Sequence, residues 1–166
     1  MTIIHSKQNY GRDAANRIEQ AKTSGIEGAR ALVESFYYAF NRRDMDVFAQ
    51  VWAKHELIQL NNPLGGILHG YDPIANLYRG LFTGEARVWV ALDDIVEFQS
   101  DAMLVFAGRE TGAFTKDGKT IPLSIRTSRI IQWLGADHGW KQRIITARLT
   151  TLNCLQNISV PFVASK

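Results

Sequence analysis

The apolar positions of the chain follow two different periods, one after the other. Leu32, Val33, Phe36, Tyr37 and Phe40 recur at helical spacing and form one broad apolar face. Ser24 and Glu27 precede them at the capping-box spacing, so the pattern predicts a first helix from Ser24 to about Asn41. Asp44 is the expected N-cap of a shorter second helix that carries Val47, Phe48, Val51 and Trp52. A brief strand is predicted from Leu57 to Leu60, broken by Asn61-Asn62-Pro63 and Gly65-Gly66. Asp72-Pro73 then offers a cap and a first-turn proline to a third helix burying Ile74, Leu77, Tyr78, Leu81 and Phe82.

From Arg87 the period falls to two. Four long strands are predicted, at about residues 87–98, 102–114, 121–134 and 140–152. Turn signals at Ser100-Asp101, Asp117-Gly118 and Gly135 to Gly139 separate them, and Gly108 and Gly112 mark bends or bulges in the second. Helices followed by antiparallel strands form an α+β pattern. Residues 1–23 are polar and read as an arm outside the main core, residues 24–153 as one domain, and residues 154–166 as a C-terminal tail.

Composition narrows the classes. A chain of 166 residues that is 46% hydrophobic can bury one good core. Lysine and arginine total 19 against 16 acidic residues, without a basic run, so nucleic acid is not an expected partner. Cys154 is the single cysteine, which rules out an intrachain disulfide and a multi-cysteine zinc site and fits a cytoplasmic protein. The N-terminal residues lack the apolar core of a secretory signal, and the apolar runs are strand-sized, so no membrane span is expected. His5, His55, His69 and His138 show no ligand spacing, and neither a metal nor a cofactor is expected. His55 and His69 read as ordinary loop histidines.

Asn41-Arg42-Arg43-Asp44, the segment Gly70 to Ile74, the Pro63 loop and a last strand entered through Gly139-Trp140 together resemble the nuclear-transport-factor-2-like superfamily over residues 26–152. That group includes SnoaL-like cyclases, ketosteroid isomerase, scytalone dehydratase and the association domain of calcium/calmodulin-dependent protein kinase II. The resemblance implies a strongly curved antiparallel sheet packed on three helices as a cone, a small-molecule cavity and a homodimer. Ketosteroid isomerase works through an aspartate base, a tyrosine and a protonated aspartic acid. The matching positions here hold Asn62 and Phe36, and residues 121–133 contain no acid, so that mechanism is not expected.

The sheet is more similar to the kinase association domain, whose Arg-x-Thr and Thr-Arg-Val strands resemble Arg109-Glu110-Thr111 and Ser128-Arg129-Ile130. Arginines of those strands line a cavity for small carboxylates in that domain, and Arg148, one residue out of step, is the third candidate. The implied chemistry is bidentate carboxylate binding by desolvated guanidinium groups. Two registers remain open: a two-residue turn at Asp117-Gly118 sets Arg109 opposite Arg126, whereas a longer loop sets it opposite Arg129. In the resembled register Glu110 points away from the cavity. The competing reading makes these arginines a solvated face or ion pairs across a dimer.

Alternation along the first long strand places Asp93 and Glu97 on the outer face and Asp94 inward, which makes Asp94 the candidate general base of an enzyme. Phe36 and Tyr37 are core residues that can coat a cavity, and the Tyr37 hydroxyl can orient a ligand. The expected function is therefore a dimeric pocket protein that holds a small carboxylate through Arg109, Arg129, Arg148 or Arg126, with Asn62, Phe36 and Tyr37 beside it. The alternative is a SnoaL-like enzyme of isomerase, dehydratase or hydrolase type, acting on a small apolar or polyketide-like substrate through Asp94 or a histidine.

Overall fold

The computed structural model describes residues 1–150. The expected tail, Cys154 and the end of the last predicted strand lie outside the described residues. Helix α1 spans Ile26–Arg42, α2 Met45–Val51 and α3 Tyr71–Thr83. The strands are β1 (Thr2–His5), β2 (Gln59–Asn61), β3 (Ile67–His69), β4 (Arg87–Gln99), β5 (Met103–Lys116), β6 (Lys119–Trp133) and β7 (Trp140–Leu149). They form one curled, unclosed sheet in the order β1-β4-β5-β6-β7-β2-β3, antiparallel except for the β2–β7 pair. Its inner face packs on the three helices.

The caps differ in part from expectation. Asp44 caps α2 by accepting from the Asp46 and Val47 backbone N–H groups. Ser24 does not cap α1: Gly25 holds the N-cap position without a side-chain bond, and Glu27 instead accepts from Arg30 Nη1 at 2.7 Å. Gly70, not Asp72, takes the N-cap position of α3. Asn41 ties α1 to the sheet, since its Nδ2 donates to the carbonyls of Gly11 and Val90 and its Oδ1 accepts from Val90 N–H.

Asp117 and Gly118 both have positive φ, 51° and 71°, and close a two-residue β5–β6 hairpin. That conformation matches the right-handed strand twist, which is why Asp-Gly favours it. The turn sets Arg109 opposite Arg126 and so settles the register left open above. The glycines of β5 permit close approach by β4: a Cβ on Gly112 would fall 2.0 Å from the Trp89 carbonyl oxygen, and one on Gly108 would fall 2.7 Å from that of Asp93. Opposite Gly108, β4 itself bulges between Asp93 and Val96, with Asp94 at φ 51°. The extra residue reverses side-chain parity for the rest of β4.

Two findings correct the sequence reading of the N-terminus. Ile3-Ile4 is too short to show a period, yet residues 2–5 pair with β4, from Thr2–Gln99 to His5–Val96. Residues 1–23 are also not outside the core, because Tyr10, Ala14, Ile18 and Ala21 are buried in it. Tyr10 stacks on Tyr37 with ring centroids 6.3 Å apart. The apolar positions here are few, two of the four are alanines, and polar residues surround them, so the pattern is weak.

Within the curl, Phe36, Phe40, Phe48, Tyr78 and Phe82 pack ring against ring, with centroids 4.4–6.2 Å apart. Full burial of each large apolar side chain contributes roughly 1.5–3 kcal/mol, and edge-to-face geometry adds about 0.5–1.5 kcal/mol per pair.

Candidate functional site

On β6 the odd-numbered residues from Leu123 to Ile131 face inward. Arg129 is among them, 1% exposed. A charge so deep requires partners, and the helix and neighbouring strand supply them. Its Nη2 donates to Glu110 Oε1 at 2.7 Å, its Nε donates to the Tyr37 hydroxyl oxygen at 2.9 Å, and the Tyr37 hydroxyl donates to the same Glu110 oxygen at 2.6 Å. The guanidinium carbon stands 3.8 Å from the Phe36 ring centre and 4.7 Å from that of Tyr37. The result is a closed triangle of one cation, one carboxylate and one phenol, flanked by aromatic faces.

One edge of the guanidinium is left over. Arg129 Nη1 is buried without a hydrogen-bond partner, and so is Thr127 Oγ1, two residues earlier on the same inner face of β6. Burial raises the Tyr37 pKa well above its ordinary value, and burial likewise raises that of Tyr78. Desolvation alone would lower the Arg129 pKa, but the electrostatic influence of Tyr37, Glu110 and Tyr78 outweighs it and the net shift is upward. The guanidinium therefore stays charged.

The expected ligand residues divide between the two sheet faces. Phe36, Tyr37 and Arg129 meet inside. Arg109, Arg126 and Arg148 lie outside, on the opposite face from Arg129, with Arg109 Nε donating to Asp93 Oδ1 at 3.1 Å. Asn62 belongs to the β2–β3 turn, where its Oδ1 accepts from Leu64 N–H at 3.1 Å and its N–H donates to the Gly66 carbonyl.

The acidic residues are rearranged more thoroughly. Asp94, expected inward, occupies the bulge, is exposed and contacts His5 Nε2 at 3.1 Å. Glu97, expected outward, is fully buried and receives the Nε and Nη2 of Arg30 at 3.1 and 3.0 Å. The bulge explains both reversals. Glu110, expected to point away, is buried beside Arg129; its parity with Leu104, Phe106 and Phe114 is the signal that could have placed it.

A concavity of about 450 Å³ opens at the start of α3 between Lys54, His55, Gly70, Tyr71 and Asp72. There Lys54 Nζ lies 3.0 Å from the Tyr71 ring centre, and burial lowers its pKa. His55 Nδ1 accepts from Leu57 N–H and His69 Nε2 meets Gln59 Oε1, so both imidazoles serve local loop structure. Among the described residues no group of three or more His, Cys, Asp and Glu side chains is placed to hold a metal ion, and no helix is long and apolar enough to cross a membrane.

No protein-family model matches the chain, and no curated protein matches it. Solved structures do. A nuclear transport factor 2-like superfamily protein from Salmonella enterica serovar Typhimurium is 14% identical, with a TM-score of 0.67 over 89% of this chain and 99% of that one. A candidate calcium/calmodulin-dependent protein kinase type II association domain from Thiobacillus denitrificans is 23% identical, with a TM-score of 0.59 over 74% of this chain and 94% of that one. A ketosteroid isomerase-like protein from Erwinia carotovora atroseptica is 16% identical, with a TM-score of 0.61 over 74% of this chain and 93% of that one. The chain has the nuclear-transport-factor-2-like fold, an α+β cone.

Proposed function

We propose that the protein binds a small organic carboxylate inside the curled sheet, with Arg129 as the anchor. The observation that supports this reading is Arg129 Nη1, a buried charged donor with no protein partner. A buried donor left unpaired costs about 1–3 kcal/mol. A ligand oxygen bridging Nη1 and Thr127 Oγ1 would remove that cost at two groups together. The Phe36 ring and the surrounding aromatic residues suit an apolar ligand body. Glu110 already neutralises Arg129, so the site favours a single carboxylate over a more highly charged anion. Phe36 and the rings packed on it, Phe48 and Tyr78, occupy the interior beside Arg129, so a ligand must displace side chains to enter.

The outer face carries Phe98, Val105, Ile130 and Ile144 in one cross-strand row, which supports a homodimer in the same reading. A second reading, an enzyme of isomerase or dehydratase type, draws on the inward Glu110, a carboxylate beside a phenol in a desolvated site.

A thermal-shift screen of aliphatic and aromatic monocarboxylates tests the binding proposal, with sedimentation of the same samples reading the dimer. At least one class should raise the melting temperature, and Thr127→Val, which removes an unpaired hydroxyl at nearly constant volume, should weaken that ligand roughly tenfold. No shift with any carboxylate, or equal affinity in Thr127→Val, would overturn it. Turnover abolished in Glu110→Gln, in samples whose circular dichroism shows the fold retained, would favour the enzyme reading.

A further inference from the structure

The outer face of the sheet holds a second concentration of charge, unrelated to the interior triangle. Arg109 pairs with Arg126 across β5 and β6, and Arg126 pairs with Arg148 across β6 and β7, so the three stand side by side in one row. All three are exposed, while most of their outer-face neighbours on these strands are half-buried. Like charges directly opposite one another on a sheet repel. Asp93, at the end of the row, pairs with Arg109 and also accepts from Thr111 Oγ1; among the described residues Arg126 and Arg148 have no ion pair.

The rows on either side are rich in hydroxyl groups. Ser128 and Thr146 are paired on one side, and Thr111 and Ser124 on the other, where Thr150 Oγ1 also reaches Ser124 Oγ at 2.8 Å. Three arginines on adjacent strands, at the inter-strand spacing of about 4.8 Å and bordered by hydroxyls, form one row of donors. Such an array suits an extended, multiply charged oxyanion whose oxygens repeat at similar intervals.

A second copy of this chain fits the row poorly. An in-plane two-fold axis parallel to the row sets each arginine against its own equivalent. One perpendicular to the row, through its centre, sets Arg126 against its own equivalent and Arg109 against Arg148 of the other copy. Either arrangement opposes cation to cation.

We infer that the outer face around Arg109, Arg126 and Arg148 binds a polyvalent oxyanion of the oligophosphate class, either free or as the phosphate chain of a small ester. Arg126 and Arg148 supply the free charge, and Arg109 joins when the oxyanion competes with Asp93. Binding places negative charge where the empty row repels itself, so it also stabilises the sheet.

Calorimetric titration of the full chain with inorganic tripolyphosphate, diphosphate and orthophosphate at constant ionic strength tests this. Affinity should rise with phosphate number. Arg126→Gln and Arg148→Gln, at exposed positions without protein partners, should each weaken tripolyphosphate roughly tenfold, while Asp93→Asn should tighten it. A nucleoside triphosphate binding more tightly than tripolyphosphate would assign the site to a phosphate ester; equal binding would assign it to the free anion. Absence of saturable binding, or binding unchanged in both arginine variants, overturns the proposal. So does tighter binding of a single-stranded oligonucleotide, or a dimer that Arg126→Gln dissociates in phosphate-free buffer.

Discussion

Arg129 and Glu110 define what a single residue can do in this interior. The pair is stabilising only as a pair, because each charge alone would be stranded away from water. Glu110→Gln should therefore destabilise the fold by about 3–5 kcal/mol, whereas Glu110→Leu combined with Arg129→Met, which removes both charges at similar volume, should recover most of that loss in urea unfolding. A double variant no more stable than Glu110→Gln would show that the pair contributes something beyond mutual neutralisation. Local pattern was only half informative here. The arginine was singled out through its Ser-Arg-Ile strand and is buried, but its carboxylate was assigned to the wrong face, since the register that decides it depends on the turn at Asp117-Gly118.

At the scale of elements, the helices and long strands were readable because each repeats its period over many residues. What escaped were pieces too short to show a period, β1 and β3, and the β4 bulge, whose single extra residue changes the meaning of every later position. Asp94 bears the backbone cost of that bulge, at φ 51°. Asp94→Gly should leave stability unchanged or raise it by up to about 1 kcal/mol, since glycine adopts positive φ freely. Asp94→Val should cost about 1–2 kcal/mol, because a β-branched residue resists that conformation. Equal melting temperatures for the two variants would mean that β4 relaxes without its bulge, which would carry Glu97 away from Arg30.

The whole molecule is sensitive to alkali through its buried phenols. Burial raises the pKa values of Tyr10, Tyr37 and Tyr78 above that of an unfolded tyrosine. Above about pH 10 the unfolded chain releases these protons and the folded chain keeps them, so the unfolded state binds fewer protons and stability falls as pH rises; below that point it is unaffected by them. Urea midpoints should decline steadily from about pH 10 upward, with the phenolate absorbance of these three tyrosines appearing only as circular dichroism is lost. Their ionisation near pH 10 in an intact fold would contradict the packing around Tyr37. The α+β cone itself was legible in the sequence, because the order of elements restricts the ways a sheet can curl over three helices. The N-terminal contribution was not, since it depends on pairing residues almost a hundred positions apart.

That N-terminal pairing has a consequence for how the protein behaves in a crowded solution. An open sheet has two rims, and here one rim is a four-residue strand laid over the long β4, while the other is the three-residue β3 next to a Gly-Gly turn. Along Val96 to Gln99, the first few residues thus act as a selvedge that keeps the fabric from joining another.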